Sequence, residues 1–194
     1  DELHRFSLRE RVAIVAGGSG GIGMRAAVAL AGAGAKVALV ARKVDAPGIT
    51  QTRDAVEMAG SEALAIPADL TDKKAADEVV RQVISTFGRL DALVNAVGGG
   101  AGTALYPAEE YPPTEWQRII DLNLTTALLM SQSAARAMIS GGRGGSVLNV
   151  SSVRGQLGID AGYSAYVAAK GGFNALTRQH ATEWAKHNVR VNAI

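Results

Sequence analysis

The sequence has no cysteine, only five prolines and three histidines, and an aromatic content of 5%. Each scarcity removes a class of chemistry. Without cysteine there is no disulfide, no thiolate nucleophile and no cysteine metal site, which fits a reducing compartment and leads us to expect a cytoplasmic location. His4, His180 and His187 show no ligand spacing with nearby carboxylates, so they read as surface residues and no metal is expected. No apolar run approaches the length of a membrane span, and Asp1-Glu2-Leu3-His4-Arg5 lacks an apolar stretch after a basic start. Membrane insertion and a secretory signal are therefore not expected, although a leader already removed would leave no trace. Charge of one sign is also missing: 20 Lys and Arg against 18 Asp and Glu leave +2. The basic residues are scattered among acidic ones, so nucleic acid is not an expected partner.

Glycine, by contrast, is abundant at 23 of 194 residues, and 47% of the chain is hydrophobic. This composition describes a globular protein with many tight turns and enough apolar surface for one core, so a single domain over residues 1–194 is expected. Val12 to Ala16 is a wholly apolar run ending in glycines, as a strand buried on both faces should be. From Ile22 to Ala33 the pattern switches to a helical period that stops at Gly34, and Lys36 to Ala41 reads as a second strand, completing a βαβ unit.

The alternation continues with a loop at Pro47-Gly48 before a helix of undefined start, then a strand over 63–67. A helix over 71–87 follows, with Val79, Val80, Val83, Ile84 and Phe87 on its buried side, then a strand over 90–95. Beyond Pro112-Pro113, Thr114 can cap one long helix reaching about Ile139. A strand over 144–151, a helix over 163–187 and a strand over 189–194 complete the chain. Strands alternating with helices demand a mainly parallel sheet covered on both faces, and a doubly wound, Rossmann-like α/β fold is the economical answer.

Two stretches carry chemistry. Gly17-Gly18-Ser19-Gly20-Gly21-Ile22-Gly23 follows the first strand and opens the first helix. Glycines at 17, 21 and 23 permit a tight turn whose backbone can approach a pyrophosphate, while the helix N-terminus supplies amide hydrogens and partial positive charge. The spacing G-x-x-x-G-x-G differs from the commoner G-x-G-x-x-G, so the nucleotide reading rests on its strand-turn-helix context. Tyr166 and Lys170 stand one helical turn apart on one face, downstream of a strand ending in Ser151-Ser152. A free tyrosine, with pKa about 10, is a weak proton donor and acceptor at neutral pH, and a nearby ammonium favours its phenolate. Where a carboxylate would hold the ribose hydroxyls of NAD, the chain has Ala41-Arg42-Lys43. The missing carboxylate and the Arg42 guanidinium favour a 2′-phosphate, hence NADP(H) over NAD(H).

Together these motifs resemble the short-chain dehydrogenase/reductase family over essentially the whole chain. The family's T-G-x-x-x-G-I-G turn is matched from Ala16 to Gly23 with alanine for threonine, and its adenine-side aspartate by Asp69 in Ala68-Asp69-Leu70. Its N-N-A-G motif appears altered as Asn95-Ala96-Val97-Gly98, and its helix asparagine, serine and Y-x-x-x-K are matched by Asn123, Ser152, Tyr166 and Lys170. The pattern is similar to the NADP-preferring 3-oxoacyl-ACP reductase-like branch. The resemblance implies that Asn123, Ser152, Tyr166 and Lys170 are catalytic. Tyr166 would act as proton donor, Ser152 would orient the carbonyl, Lys170 would tune the tyrosine and bind the nicotinamide ribose, and Asn123 would anchor a water. It implies cofactor contacts from Gly17, Ser19, Gly21, Ile22, Gly23, Arg42, Asp69, Leu70, Asn95, Ala96, Gly98, Tyr166 and Lys170. The expected substrate is a small carbonyl compound or alcohol. A homodimer or homotetramer is implied, assembled through the long helices that carry Ala134, Ala135, Ala165, Ala168 and Ala169.

Two alternatives stay open at this point. Tyr163 stands seven residues before Lys170, a spacing that resembles the enoyl-reductase branch. A nucleotide-binding scaffold without turnover is the other, suggested by the alanines at 16 and 96. The resemblance also implies a seventh strand and a substrate-covering segment after Ile194.

Overall fold

The computed structural model describes residues 5–43 and 47–194, so the expectation for His4 lies outside the described residues. Six strands, β1 (Val12–Ala16), β2 (Lys36–Ala41), β3 (Ala63–Pro67), β4 (Ala92–Asn95), β5 (Gly145–Asn149) and β6 (Val189–Ala193), form one parallel sheet. Their order is β3-β2-β1-β4-β5-β6, and it reverses between β1 and β4, where a doubly wound sheet opens a crevice at its carboxyl end.

The two-residue period of the strands sorts the core. Ile14, Ala38, Val40 and Leu93 face one side with Val79, Val83, Met130 and Met138, contributed by helices α3 (Lys73–Phe87) and α5 (Thr126–Ser140). Val15, Val37, Leu39 and Val94 face the other with Ala27, Ala31, Ile49 and Val56 of α1 (Gly21–Gly32) and α2 (Pro47–Met58). The apolar runs 12–16 of β1 and 37–41 of β2 are thus explained by helices on both faces. None of the described helices is long and apolar enough to cross a membrane.

Several boundaries differ from expectation for local reasons. α3 starts at Lys73 rather than at residue 71, because Asp72 caps it by accepting the Lys74 amide at 2.9 Å. The single long helix expected from Thr114 is broken into α4 (Pro113–Ile120), a π-helical turn (Asp121–Thr125) and α5. Its N-cap is Pro112 with no side-chain cap, since Pro113 in the first turn has no N–H to satisfy. Gly144, at φ 70°, turns the chain before β5, so the strand starts at Gly145. The last long helix, α6 (Ser164–Trp184), gives way to a 3₁₀ turn at Ala185–His187 before β6.

His187 is exposed, but His180 corrects the surface reading: it is 5% exposed and stacks on Trp184 with ring centroids 4.1 Å apart. The reason is register. Ala169, Phe173, Thr177 and His180 recur every three or four residues on the buried face of α6.

Candidate active site

At the carboxyl ends of β1, β2 and β4 lies a cleft of about 730 Å³. Its walls include Gly17, Ser19 and Gly20 from the first turn, Arg42 after β2, Asp69, Leu70 and Thr71 after β3, and Ala96, Val97 and Gly98 after β4. The glycines do different work here. A side chain at Gly17 would meet the Ala96 carbonyl carbon at 2.7 Å, and one at Gly23 would meet the Gly17 carbonyl oxygen at 2.1 Å. These two positions hold turn, helix and neighbouring loop together backbone to backbone. At Gly20 and Gly21 a side chain would meet nothing within 4 Å, so the outer surface of the turn is an open cradle beside the N-terminus of α1. That is the shape and charge a bound pyrophosphate needs, and the residues present fit a dinucleotide. Ile22 is 59% exposed next to the same cradle.

At the β2–β3 end, Arg42 is exposed and Asp69 shares its wall. The Thr71 hydroxyl donates to Asp69 at 2.7 Å and the Thr71 amide at 3.0 Å. Those bonds, hydroxyl first, hold the Asp69 carboxyl below its usual range against slight burial, and the Arg42 charge adds to the effect.

At the other end the cleft meets α6. A side chain at Gly98 would stand 2.9 Å from Asn123 Oδ1 and 3.5 Å from Lys170 Nζ. Asn123 is fully buried in the π-helical turn, where its amide donates to the carbonyls of Gly99 (3.0 Å) and Ile119 (3.0 Å) and its oxygen accepts the Gly99 N–H (2.9 Å). The widened turn turns this asparagine inward and bolts the loop after β4 to the helix. Lys170 is buried, donates to the Val150 carbonyl at 2.9 Å, and stands 5.9 Å from the centre of the Tyr166 ring. Burial pushes its ammonium down to about 8.

Tyr166 is half-buried beside Tyr106 and Tyr111 in a small cluster with Ala104, Ile119 and Ala165. Ser152, also half-buried, accepts the Arg154 amide at 3.1 Å and lines a separate hollow of about 480 Å³ at the end of β6. Neither is among the residues lining the nucleotide cleft.

Asn95 lies beneath the cleft. Its amide donates to Ser131 Oγ and Asn149 Oδ1, both at 2.9 Å, and Asn149 in turn donates to Thr177 Oγ1 at 2.9 Å. This buried chain ties β4, β5, α5 and α6 together under the carboxyl ends of the strands. Gly100, Arg118, Asp121 and Leu122 also line the cleft, and sequence reasoning missed them. Only Gly100 carries a signal, as the end of the run Gly98-Gly99-Gly100 that follows β4.

With this geometry in place, residues 11–194 match the short chain dehydrogenase family. The 2-dehydro-3-deoxy-D-gluconate 5-dehydrogenase of Escherichia coli is 34% identical over 194 residues, covering 99% of this chain and 73% of that protein. The crystal structure of a short-chain type dehydrogenase/reductase from Mycobacterium marinum aligns with a TM-score of 0.91 at 33% identity, covering 100% of this chain and 76% of its own. That of carveol dehydrogenase from Mycobacterium avium in complex with NAD aligns at 0.89 with 31% identity, covering 96% and 70% respectively. A doubly wound sheet with a glycine cradle at its crevice and a Tyr-Lys helix at one end is thus matched by proteins that share both its sequence and its shape, and this chain belongs to the short-chain dehydrogenase/reductase family of oxidoreductases.

Proposed function

We propose that this protein transfers a hydride between NADP(H) and a small ketone or secondary alcohol, with Tyr166 as the proton donor. The observation that carries this reading is the junction at Gly98, where the nucleotide-shaped cleft ends against Asn123 and the buried cation of Lys170. The nicotinamide ring, when bound, gives or takes the hydride at the substrate carbon. The glycine turn, with Ser19 and Ile22, holds the dinucleotide through the cradle, and Ala96 and Gly98 line its path. Asp69 and Leu70 bound the adenine end.

Arg42 faces the same end with no carboxylate at the close of β2 to repel a 2′-phosphate, which supports NADP(H). The M. avium neighbour is described in complex with NAD, so Arg42 is the residue on which the preference turns. Ser152 orients the carbonyl, Tyr166 gives its proton to the oxygen, and the Lys170 cation favours the phenolate that remains. Asn123 holds the loop after β4 against α4 through Gly99 and Ile119, which keeps the wall beside Lys170 in place for that exchange. Assembly into a dimer or tetramer is part of this reading and rests on the family resemblance, since Ala134, Ala135, Ala165 and Ala169 are buried within the chain itself.

The centre of the Tyr166 ring stands 5.9 Å from Lys170 Nζ, whereas Tyr163 lines a cavity shared with Leu105, Tyr106 and Ile159, and the nearness to the lysine favours Tyr166 over an enoyl-reductase arrangement. A scaffold without turnover has no need of Asn123, Ser152, Tyr166 and Lys170 together. The test is a panel of ketones and secondary alcohols offered with each cofactor and followed by the absorbance of reduced nicotinamide. Consumption of NADPH ahead of NADH by a ketone is expected. Silence across the whole panel in both directions would contradict the reading.

A further inference from the structure

Three neighbouring hydrogen bonds tie the end of β5 to one face of α6, and the proposed chemistry uses only the middle one. Asn149 Nδ2 donates to Thr177 Oγ1 at 2.9 Å, Lys170 Nζ donates to the Val150 carbonyl at 2.9 Å, and the Ser151 hydroxyl donates to Asn174 Oδ1 at 2.5 Å. Three consecutive residues leaving the strand thus meet Lys170, Asn174 and Thr177, which share a face of α6 at i, i+4 and i+7. The rung at Asn149 is buried and fixed at both ends. Asn149 Oδ1 accepts the Asn95 amide from β4, and the Thr177 hydroxyl donates to the Phe173 carbonyl, both at 2.9 Å. The 3₁₀ turn Val153–Gly155 closes on the same face: a side chain at Gly155 would meet Asn174 Nδ2 at 2.5 Å and the Lys170 carbonyl oxygen at 2.8 Å.

Lys170 Nζ has the Val150 carbonyl as its one hydrogen-bond acceptor among the described residues and forms no ion pair there. Around it stand Asn123 and Gly98 from the cleft side and the Tyr166 and Phe173 rings from α6 itself. Of these only Tyr166 is titratable, and burial is the influence that acts on the ammonium. The position of the cation is therefore set by where the Val150 carbonyl stands relative to α6. Apolar packing alone would let the strand end shift along the helix. A buried amide or hydroxyl that loses its partner is costly, so directional bonds on either side of Val150 fix the spacing.

We propose that Asn149, Ser151, Asn174 and Thr177 are positioning residues, whose two bonds flank Val150, hold its carbonyl on Lys170 Nζ and so keep the cation beside the Tyr166 ring. The proposal rests on the reading of Tyr166 as the proton donor. None of the four touches the reacting atoms; they act through Lys170. Without either bond the end of β5 and α6 move apart, the ammonium follows its own flexible stem toward water, and the charge that favours the Tyr166 phenolate is weakened.

The test pairs ketone reduction at pH 7 with titration of the Lys170 ammonium, followed through its side-chain NMR resonances in protein without cofactor. Thr177→Val and Asn174→Leu should each lower kcat by about tenfold and change the ketone KM by less than about threefold. In the same variants the Lys170 titration should move up from about 8 toward the ordinary 10.5, by about one unit or more, as the ammonium regains water. Thr177→Ser restores the hydroxyl and should return both readings close to the wild type. If Thr177→Val does not fold, Ser151→Ala, on the half-buried rung, carries the same pair of measurements. A fall in kcat with the Lys170 titration unmoved would assign these residues a merely structural role and overturn the proposal. So would variants in which neither reading changes, or a Thr177→Ser protein as impaired as Thr177→Val. Each of those results leaves the oxidoreductase reading intact. A wild-type protein that turns over no ketone or secondary alcohol would overturn both.

Discussion

Lys170 is asked to stay charged beside Tyr166 while buried, and the two demands oppose each other. Its ammonium titrates near 8 in the folded protein against an ordinary 10.5, because burial penalises the charged form. Below pH 8 folded and unfolded chains both carry the proton, so the full penalty applies. As pH rises from 8 toward 10.5 the unfolded chain binds more protons than the folded one, and the penalty is relieved. The stability of the wild type relative to Lys170→Met should therefore increase between pH 7 and pH 10.5, by up to about 3 kcal/mol. Urea unfolding of both proteins across that range measures it, and a flat or falling difference would count against the buried cation. Arg42 faces the opposite test, since it is exposed and its worth depends on the ligand. Arg42→Ser should weaken NADPH binding by about 10- to 100-fold and leave NADH almost unaffected, as expected for one charge-assisted contact. Titration of both cofactors decides it, and equal losses would remove Arg42 from the 2′-phosphate.

Between elements, the tie that holds the site's supporting face is polar. Asp77 on α3 accepts Lys73 Nζ at 2.6 Å, Ser133 Oγ from α5 at 2.8 Å, and the Arg136 guanidinium, also from α5. These partners, Lys73 foremost, lower its carboxyl to about 2. The group is substantially exposed, so solvent screening reduces its worth: Asp77→Asn should cost roughly 1 kcal/mol or less. The contribution is present above the ordinary carboxylate range and disappears as pH falls through about 2. Thermal unfolding of the variant at pH 7 and pH 2 checks this; an equal deficit at both would mean packing, not charge, is at stake.

Element by element, the strands were legible because β1 is apolar throughout, β2 is apolar after Lys36, and the helical period of α1 stops at Gly34. The π-helical turn was not, because nothing in Asp121-Leu122-Asn123-Leu124-Thr125 breaks the helical period. The widening coincides with Asn123 bonding across to Gly99, a residue on another loop. His180 has no ligand spacing that would mark it, and it is buried because it falls on the inward-facing stripe of α6 with Ala169, Phe173 and Thr177.

At the scale of the whole molecule, the glycine turn at one end of the cleft was readable in the sequence and the walls that arrive from distant helices were not. Glycines at a strand-to-helix turn announce a phosphate cradle through local geometry alone. Arg118 and Asp121 reach the same cleft from α4 and the π-helical turn, and their arrival is a matter of helix packing that no local pattern encodes. Asn95 illustrates the converse, a motif residue that the fold places under the cleft as a brace between strands and helices. The central claim of the proposed function is that Tyr166 is the proton donor. The most direct measurement is ketone reduction by Tyr166→Phe and Tyr163→Phe, alongside NADPH affinity for each. Tyr166→Phe should lose turnover by at least about 100-fold while binding NADPH nearly as well as the wild type, and Tyr163→Phe should keep most of its activity. A Tyr166→Phe protein that remains active while Tyr163→Phe is dead would contradict the account.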